Sequence, residues 1–299
     1  MNKRTITAEI KAGKILVSDG AWGTFLHRKG LQAGECPELW NLIRPDAVKE
    51  IARSYVEAGA DLIETNSFGG SSFKLEHYGL ADRVSEINEA AARLSREAAG
   101  EDRRVIGSVG PTGKMLLMGD VTEEELYESF KTQVIALEKG GADAICIETM
   151  SDPDEALAAI RAAKENTRLE VICTFTFDPI GENEYRSMMG ISPGEAAIVC
   201  VNAGVDIIGT NCGNGLKNMI SIVAQMRQVV PEIPILVHAN AGLPVLINGE
   251  ITYPETPDQM QTLIPQIINA GANIIGGCCG TTPDHIAVIK ETIAKRFPR

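Results

Sequence analysis

The stretch from Ala270 to Pro283 reads AGANIIGGCCGTTP. It contains a glycine suited to a helix C-cap, the short apolar run Asn273 to Gly276, two adjacent cysteines and a proline suited to a helix start. Phrases like its first four residues recur as EAGAD at 57–61, GGAD at 140–143 and AGVD at 203–206. The repetition predicts a chain built from recurring strand and helix units.

Short apolar runs alternate with amphipathic stretches of helical period along the whole chain. The predicted strands are Ile15 to Asp19, Asp61 to Thr65, Val105 to Val109, Ala144 to Glu148, Val171 to Phe175, Ile207 to Asn211, Ile235 to Ala239 and Asn273 to Gly276. The predicted helices are Asp46 to Ala58, Val84 to Ala99, Glu123 to Lys139, Asp154 to Lys164, Pro193 to Ala203, Leu216 to Val229, Pro257 to Ala270 and Pro283 to Lys295. Such alternation predicts a parallel sheet covered by helices. Eight units in 299 residues favour one α/β domain over 1–299, a (β/α)8 TIM barrel, with a doubly wound open sheet as the alternative.

Composition excludes several classes of partner. The formal net charge of -12 argues against nucleic-acid binding, which favours a basic surface. No apolar run reaches the roughly 18 residues of a membrane span, and Met1 to Ile15 lacks the apolar core of a signal peptide. Seven cysteines, mostly inside apolar runs, indicate reduced thiols and a cytoplasmic protein.

Three cysteines stand at predicted strand ends. Cys278 and Cys279 follow the eighth strand and Cys212 follows the sixth, so a closed barrel brings them to the same face. Adjacent cysteines are poorly placed for a disulfide but suit a metal. Three thiolates leave one position open on tetrahedral Zn²⁺, which is typical of a catalytic site. His238 is either a fourth ligand or a polar neighbour, and the other four cysteines are interpreted as buried apolar residues.

Polar residues at the remaining strand ends suggest an amino-acid pocket. They are Asp19, Asn66, Glu148 and Asn240. The carboxylates of Asp19 and Glu148 suit an ammonium group. Glycine-rich turns at Gly20, 69–70 and Gly110 offer backbone N–H groups to a substrate carboxylate.

Motifs along nearly the whole chain resemble the homocysteine S-methyltransferase family. They are DGAWGT at 19–24, TNSFG at 65–69, GPTG at 110–113, ET at 148–149, NC at 211–212, NAG at 240–242 and GGCCGT at 276–281. The resemblance implies a barrel in which Cys212, Cys278 and Cys279 bind zinc and homocysteine sulfur completes the site. It also implies that Glu148 receives the substrate ammonium, while Asp19 and Asn240 line the pocket.

Within this family the sequence is most similar to the homocysteine-binding module of cobalamin-dependent methionine synthase. That likeness implies a methyl-corrinoid carried by a separate protein that docks over the barrel mouth. Trp22 and Phe68 stand near the ends of the first two predicted strands, where they are expected to border this mouth. The module typically reads Glu-Pro-Asn-Ala-Gly where this chain has His238-Ala239-Asn240-Ala241-Gly242.

Three functions therefore remain open. The first is zinc-dependent methylation of a thiol, with homocysteine as the acceptor and methionine as the product. The second is the reverse chemistry, in which a thioether or methyl ether methylates a corrinoid protein. The third is a non-catalytic protein that binds zinc or an amino acid.

Overall fold

Eight parallel strands form a closed barrel in the computed structural model, which describes residues 5–247 and 250–298. The strands are β1 (Leu16–Val17), β2 (Leu62–Glu64), β3 (Arg104–Val109), β4 (Ala144–Met150), β5 (Glu170–Phe175), β6 (Ile207–Gly215), β7 (Ile235–Asn240) and β8 (Ile274–Gly277). They pair in the order β1-β8-β7-β6-β5-β4-β3-β2, and a parallel bridge between Ser18 and Leu62 closes the circle. The predicted TIM barrel is confirmed, and the open-sheet alternative is wrong.

A ring of helices covers the outside of the barrel. They are α1 (Pro45–Glu57), α2 (Val84–Ala99), α3 (Glu123–Gly140), α4 (Pro153–Asn166), α5 (Pro193–Asn202), α6 (Leu216–Val229), α7 (Pro257–Gln261), α8 (Ile264–Ala270) and α9 (Pro283–Arg296). The single helix predicted over Pro257 to Ala270 is wrong, because the structure divides it at 262–263. Pro265 explains the break, since proline lacks the N–H for a bond to residue 261 and crowds the preceding turn. Further short α-helices in the described residues are Ile6–Lys11, Gly23–Arg28, Trp40–Ile43 and Ser72–Glu76.

The recurring helix-to-strand phrase is a joint between neighbouring strands. Its glycines have positive φ, from 82° at Gly204 to 119° at Gly271, as a left-handed helix end requires. The acidic or amide residue that follows accepts an N–H from the first or second residue of the preceding barrel strand. Asp143 Oδ2 accepts from Val105 N over 2.8 Å, and Asp206 Oδ2 accepts from Val171 N over 2.8 Å. Each phrase therefore ends a helix and sets the register of a strand pair.

The amino-terminal end of the barrel is filled by apolar side chains. Each strand contributes inward-facing residues to one buried cluster, and the short helix Ile6–Lys11 adds Ile6. Glu170 holds this helix in place by accepting the N–H of Thr7 over 3.0 Å. Because this end is closed, the open space of the barrel lies at the carboxyl ends of the strands.

Two antiparallel hairpins stand on the carboxyl-terminal face, in the loops that follow β5 and β7. The first pairs Asp178–Gly181 with Glu184–Arg186, and the second pairs Val245–Ile247 with Glu250–Thr252. Across the described ranges, no helix is long and apolar enough to cross a membrane.

Candidate active site

A cavity of about 290 Å³ opens at the carboxyl ends of the barrel strands. Its wall includes all three cysteines of the predicted zinc site, together with Glu64, Glu148 and His238. The aromatic side chains of Trp22 and Phe68 also line it, as expected for residues bordering the mouth. Thiols, carboxyls and aromatic rings thus face one enclosed space.

The three thiols converge despite their separation in sequence. The Sγ atoms of Cys212, Cys278 and Cys279 all lie within 4.8 Å of one another. Tetrahedral Zn–S bonds of about 2.3 Å place sulfurs about 3.8 Å apart, so small side-chain shifts suffice to bind one ion. The donor set fits Zn²⁺, and the metal itself stays a prediction. Cys36, Cys146, Cys173 and Cys200 are buried, as predicted.

Local backbone geometry aims Cys212 into the cavity. The pairing of β6 with β7 shifts register between Asn211 and Gly215, and Cys212 adopts a left-handed φ of 56°. A bulge of this kind redirects a side chain at a strand end. A positive φ in a residue other than glycine costs on the order of 1–3 kcal/mol, a strain that clusters at functional sites. Thr149, next to Glu148, has a similar φ of 61°.

A tight turn holds Cys278 and Cys279 against β7. Cys278 N–H donates to Ala239 O over 2.7 Å, and Ala241 N–H donates to Cys279 O over 3.0 Å. The Thr281 hydroxyl donates to Cys278 O over 2.7 Å. Both cysteines are therefore fixed to the strand that lies between β6 and β8 in the barrel.

Neighbouring donors favour a thiolate at this cluster. Hydrogen bonds from Cys212 and Cys278 lower the pKa of the Cys279 thiol, and the Tyr253 hydroxyl lowers it further. The pKa of the Cys278 thiol is raised well above its usual value by its hydrogen bonds with Cys212 and Cys279, and also by burial. A cluster that already stabilises one negative sulfur is suited to a cation.

A second group of titratable side chains faces the same cavity. One ligand atom each from Glu64, Glu148 and His238 lies within 4.8 Å of the other two. The Ser108 hydroxyl donates to Glu148 Oε1, and Asn211 Nδ2 donates to Glu148 Oε2 over 3.2 Å. Burial raises the pKa of Glu148 to about 7 and lowers that of His238 to about 3. His238 therefore groups with carboxyls rather than with the thiols.

Asp19 lies directly behind the cavity wall. Its Oδ2 accepts hydrogen bonds from the Trp22 indole over 3.0 Å and from Glu64 N–H over 2.8 Å. Burial raises the pKa of Asp19 to about 7. These bonds connect Asp19 to two residues that line the cavity, so it holds the wall in shape. Direct contact with a substrate stays a prediction.

The two asparagines expected in the pocket differ in position. Asn66 lines the cavity, and its Nδ2 donates to Pro37 O over 2.8 Å and to Asn41 Oδ1 over 3.1 Å. Asn240 is 3% exposed and follows His238 at the end of β7, and its Oδ1 has no partner within the part of the chain described. A substrate-binding role for either residue stays a prediction.

The glycine turns do not all offer free N–H groups. Gly69 N–H donates to Glu38 Oε1 over 2.7 Å, Gly70 N–H to Ser67 O, and Gly110 N–H to Phe68 O. These three donors are already used inside the protein, so the expectation that they receive a substrate carboxylate is wrong. Gly20 lines the cavity.

Sequence reasoning missed several residues of the site. The sequence motifs give no site role to Glu64, to Ser108 and Asn211, which hold Glu148, or to Tyr253, which contacts Cys279. A carboxylate at the end of an apolar strand is the signal that singled out Glu148, and it applies equally to Glu64. No comparable signal marks Ser108 or Tyr253, because their roles depend on contacts between distant segments.

Comparison with known proteins is consistent with this geometry. Residues 16–293 match the family described as homocysteine S-methyltransferase. The chain is 32% identical to methionine synthase of Mycobacterium leprae, covering 96% of this chain and 25% of that protein. It is 31% identical to betaine–homocysteine S-methyltransferase 1 of Danio rerio, covering 98% and 76%. The metallated homocysteine methyltransferase MmuM from Escherichia coli superposes with a TM-score of 0.77 at 25% identity, covering 95% and 98%.

The chain belongs to the homocysteine S-methyltransferase family, and the resemblance seen in its motifs is confirmed. The relatives from Danio rerio and Escherichia coli are methyltransferases by name, the class EC 2.1.1 of enzymes. It spans about a quarter of the length of the mycobacterial methionine synthases that it matches.

Proposed function

We propose that this protein transfers a methyl group to the sulfur of homocysteine to form methionine, with Zn²⁺ bound by Cys212, Cys278 and Cys279. The observation that carries the proposal is the convergence of three thiols on a cavity that is also lined by buried carboxyls. Its relatives from Danio rerio and Escherichia coli bear names that specify homocysteine as the methyl acceptor.

Each part of the site has a role in the proposed reaction. Zinc would hold the substrate sulfur as a thiolate at neutral pH, where a free thiol is mostly protonated. Glu148, fixed by Ser108 and Asn211, accepts the substrate ammonium. The cavity walls exclude water and orient the sulfur toward the mouth. The S–CH₃ bond forms as the bond between the methyl group and its donor breaks, and the thiol proton leaves to solvent.

The methyl group is proposed to come from a methyl-corrinoid carried by a separate protein. Likeness to methionine synthase supports this donor. Large apolar side chains exposed on the loops after β2, β3, β5 and β7 supply a surface for docking: Phe68, Leu117, Met118, Met188, Leu246 and Ile251. Docking would supply the positioning that makes a bimolecular transfer effectively unimolecular.

A small methyl-onium compound is the second candidate donor. Trp22 and Phe68 both line the cavity, and aromatic faces attract cations. The relative from Danio rerio is named for betaine, a methylated onium compound, which supports this class of donor.

The test compares methyl donors at fixed homocysteine and zinc while methionine is measured. We expect fast transfer from a methylated corrinoid protein and slow transfer from free methylcobalamin. Fast turnover with S-methylmethionine, S-adenosylmethionine or betaine in the absence of corrinoid would show that the methyl donor is an onium compound. Methylation of a corrinoid protein by a thioether or methyl ether, without methionine formation, would establish the reverse reaction. Binding of zinc or of an amino acid without any methyl transfer would indicate a non-catalytic binding protein.

A further inference from the structure

Glu64 carries a buried oxygen atom with no hydrogen-bond partner. Its side chain stands at the end of β2 and is 7% exposed, and Oε1 accepts no hydrogen bond within 5–247 and 250–298. Burying a polar atom without a partner costs on the order of 1–3 kcal/mol. Such an atom is normally satisfied by water, an ion or a ligand. Glu64 lines the cavity, so a ligand can reach it.

Other buried carboxyls surround Glu64, and burial together with Glu148 and Asp19 raises its pKa well above the usual value. Glu148 shares the cluster, and Asp19 lies behind it, where its carboxylate accepts the Glu64 N–H. Among the ion pairs of the described residues, none joins a lysine or arginine to these three carboxyls. A basic side chain in the same cluster is His238, whose Nδ1 is 3.5 Å from Glu64 Oε1. Burial lowers the pKa of His238 to about 3, so it supplies no positive charge near neutrality.

We propose that Glu64 is the second carboxylate of a two-carboxylate site for the ammonium group of the substrate, with Glu148 as the first. Through this contact Glu64 makes the enzyme select thiols with an α-amino group over thiols without one. The inference rests on the proposed function, because it takes an amino-acid thiol as the methyl acceptor.

The number of available acceptors matches an ammonium group. An amino acid presents three N–H donors and one positive charge. Glu64 and Glu148 offer carboxylate oxygens, and the neutral imidazole of His238 keeps one nitrogen lone pair. The His238 side chain is buried, with the residue 2% exposed, and its Nε2 has no hydrogen-bond partner in the part of the chain described. Side chains from β2, β4 and β7 thus bring acceptors together in the cavity that the thiols also line.

The test separates the ammonium from the rest of the substrate. Binding of homocysteine and of 4-mercaptobutanoate, which has the same thiol and carboxylate but no amino group, is measured by calorimetry on zinc-loaded protein. We expect wild type to bind homocysteine at least ten-fold more tightly. Glu64→Gln should lose about 10- to 100-fold in homocysteine affinity, as for a charge-assisted hydrogen bond, with unchanged affinity for 4-mercaptobutanoate.

Two further variants control for folding and for general loss of a buried acid. Glu64→Asp keeps the charge on a shorter side chain, so part of the preference for homocysteine should return. Glu155→Gln removes another buried carboxyl, one that accepts from Thr112 and does not line the cavity. It should leave the ratio of the two affinities unchanged.

Three results would overturn the inference. The first is a Glu64→Gln protein that prefers homocysteine as strongly as wild type does. The second is a second metal equivalent in wild type that is lost in Glu64→Gln, which would assign the cluster to an ion. The third is wild-type protein that binds neither thiol, in which case the proposed acceptor is wrong as well. The first result, with homocysteine still bound by wild type, would refute this inference and leave the proposed function standing.

Discussion

The indole N–H of Trp22 donates to Asp19 Oδ2 over 3.0 Å, and the same oxygen accepts Glu64 N–H over 2.8 Å. One buried carboxylate therefore orients both an aromatic wall of the cavity and the strand end that carries Glu64. Asp19 acts through its neighbours, and its replacement should change the shape of the cavity while leaving the thiols intact.

We expect Asp19→Asn to lower kcat/KM by about 10-fold or more, because an amide cannot accept both bonds as well as a carboxylate. Zinc content should be unchanged. The chain has two tryptophans, so fluorescence in a Trp40→Phe background reports on Trp22 alone. A shifted emission spectrum with full zinc content is expected. Wild-type emission together with lost activity would instead indicate direct contact of Asp19 with the substrate.

The thiol cluster predicts one zinc ion per chain. The three Sγ atoms lie within 4.8 Å of one another and compose the donor set. Cys278→Ala together with Cys279→Ala should remove nearly all metal and activity while circular dichroism stays that of the barrel. Cys200→Ala, a buried cysteine outside the site, is the matched control and should keep a full equivalent. Elemental analysis decides the matter, and full zinc in the double variant would contradict the assignment.

Glu148 is predicted to contribute to acceptor binding without contributing to metal binding. Its carboxylate is held by Ser108 and Asn211, so it is oriented before the substrate arrives. Glu148→Gln should weaken homocysteine binding by about 1.5–3 kcal/mol, the value of a charge-assisted hydrogen bond. Zinc content should not change. Unaltered affinity would show that the glutamate is structural or that the acceptor carries no ammonium group.

The barrel could be predicted from the sequence because its signals are local. Apolar runs mark the strands, and the AGAD-like phrases mark the joints, where the glycines have positive φ and the acids bind the preceding strand. The break between α7 and α8 was also visible in principle, since Pro265 stands inside the predicted helix. Local signals of this kind are independent of the rest of the fold.

The site was only partly predictable for the opposite reason. The cysteines were found because their spacing matches strand ends, and each strand end faces the same side. The contact of Glu64 with Glu148 and His238 depends on barrel closure and on which residues point inward, neither of which a single segment encodes. The same holds for Tyr253, which reaches Cys279 from the loop after β7.

The glycine joints give a prediction about stability. Gly204 has a φ of 82°, and a Cβ there would meet no atom within 4 Å, so only backbone strain opposes a side chain. Gly204→Ala should destabilise the protein by about 1 kcal/mol. Gly23→Ala is the control, since Gly23 lies in a helix, has no positive φ and also has open space around it. Urea denaturation of both variants should show a loss only for Gly204→Ala.

Buried carboxyls near the cavity should make the zinc-free protein less stable as pH rises. Burial raises the pKa of Glu148 from 4.5 to about 7 and that of Asp19 from 3.8 to about 7. Between about pH 4 and 7 the folded state therefore binds more protons than the unfolded state, so the free energy of unfolding falls as pH increases through this window. Glu148→Gln removes one of these groups and should flatten the decline. Urea titrations of wild type and variant at pH 5 and pH 8 measure the difference. Parallel declines would show that Glu148 is ionised in the folded protein throughout the range.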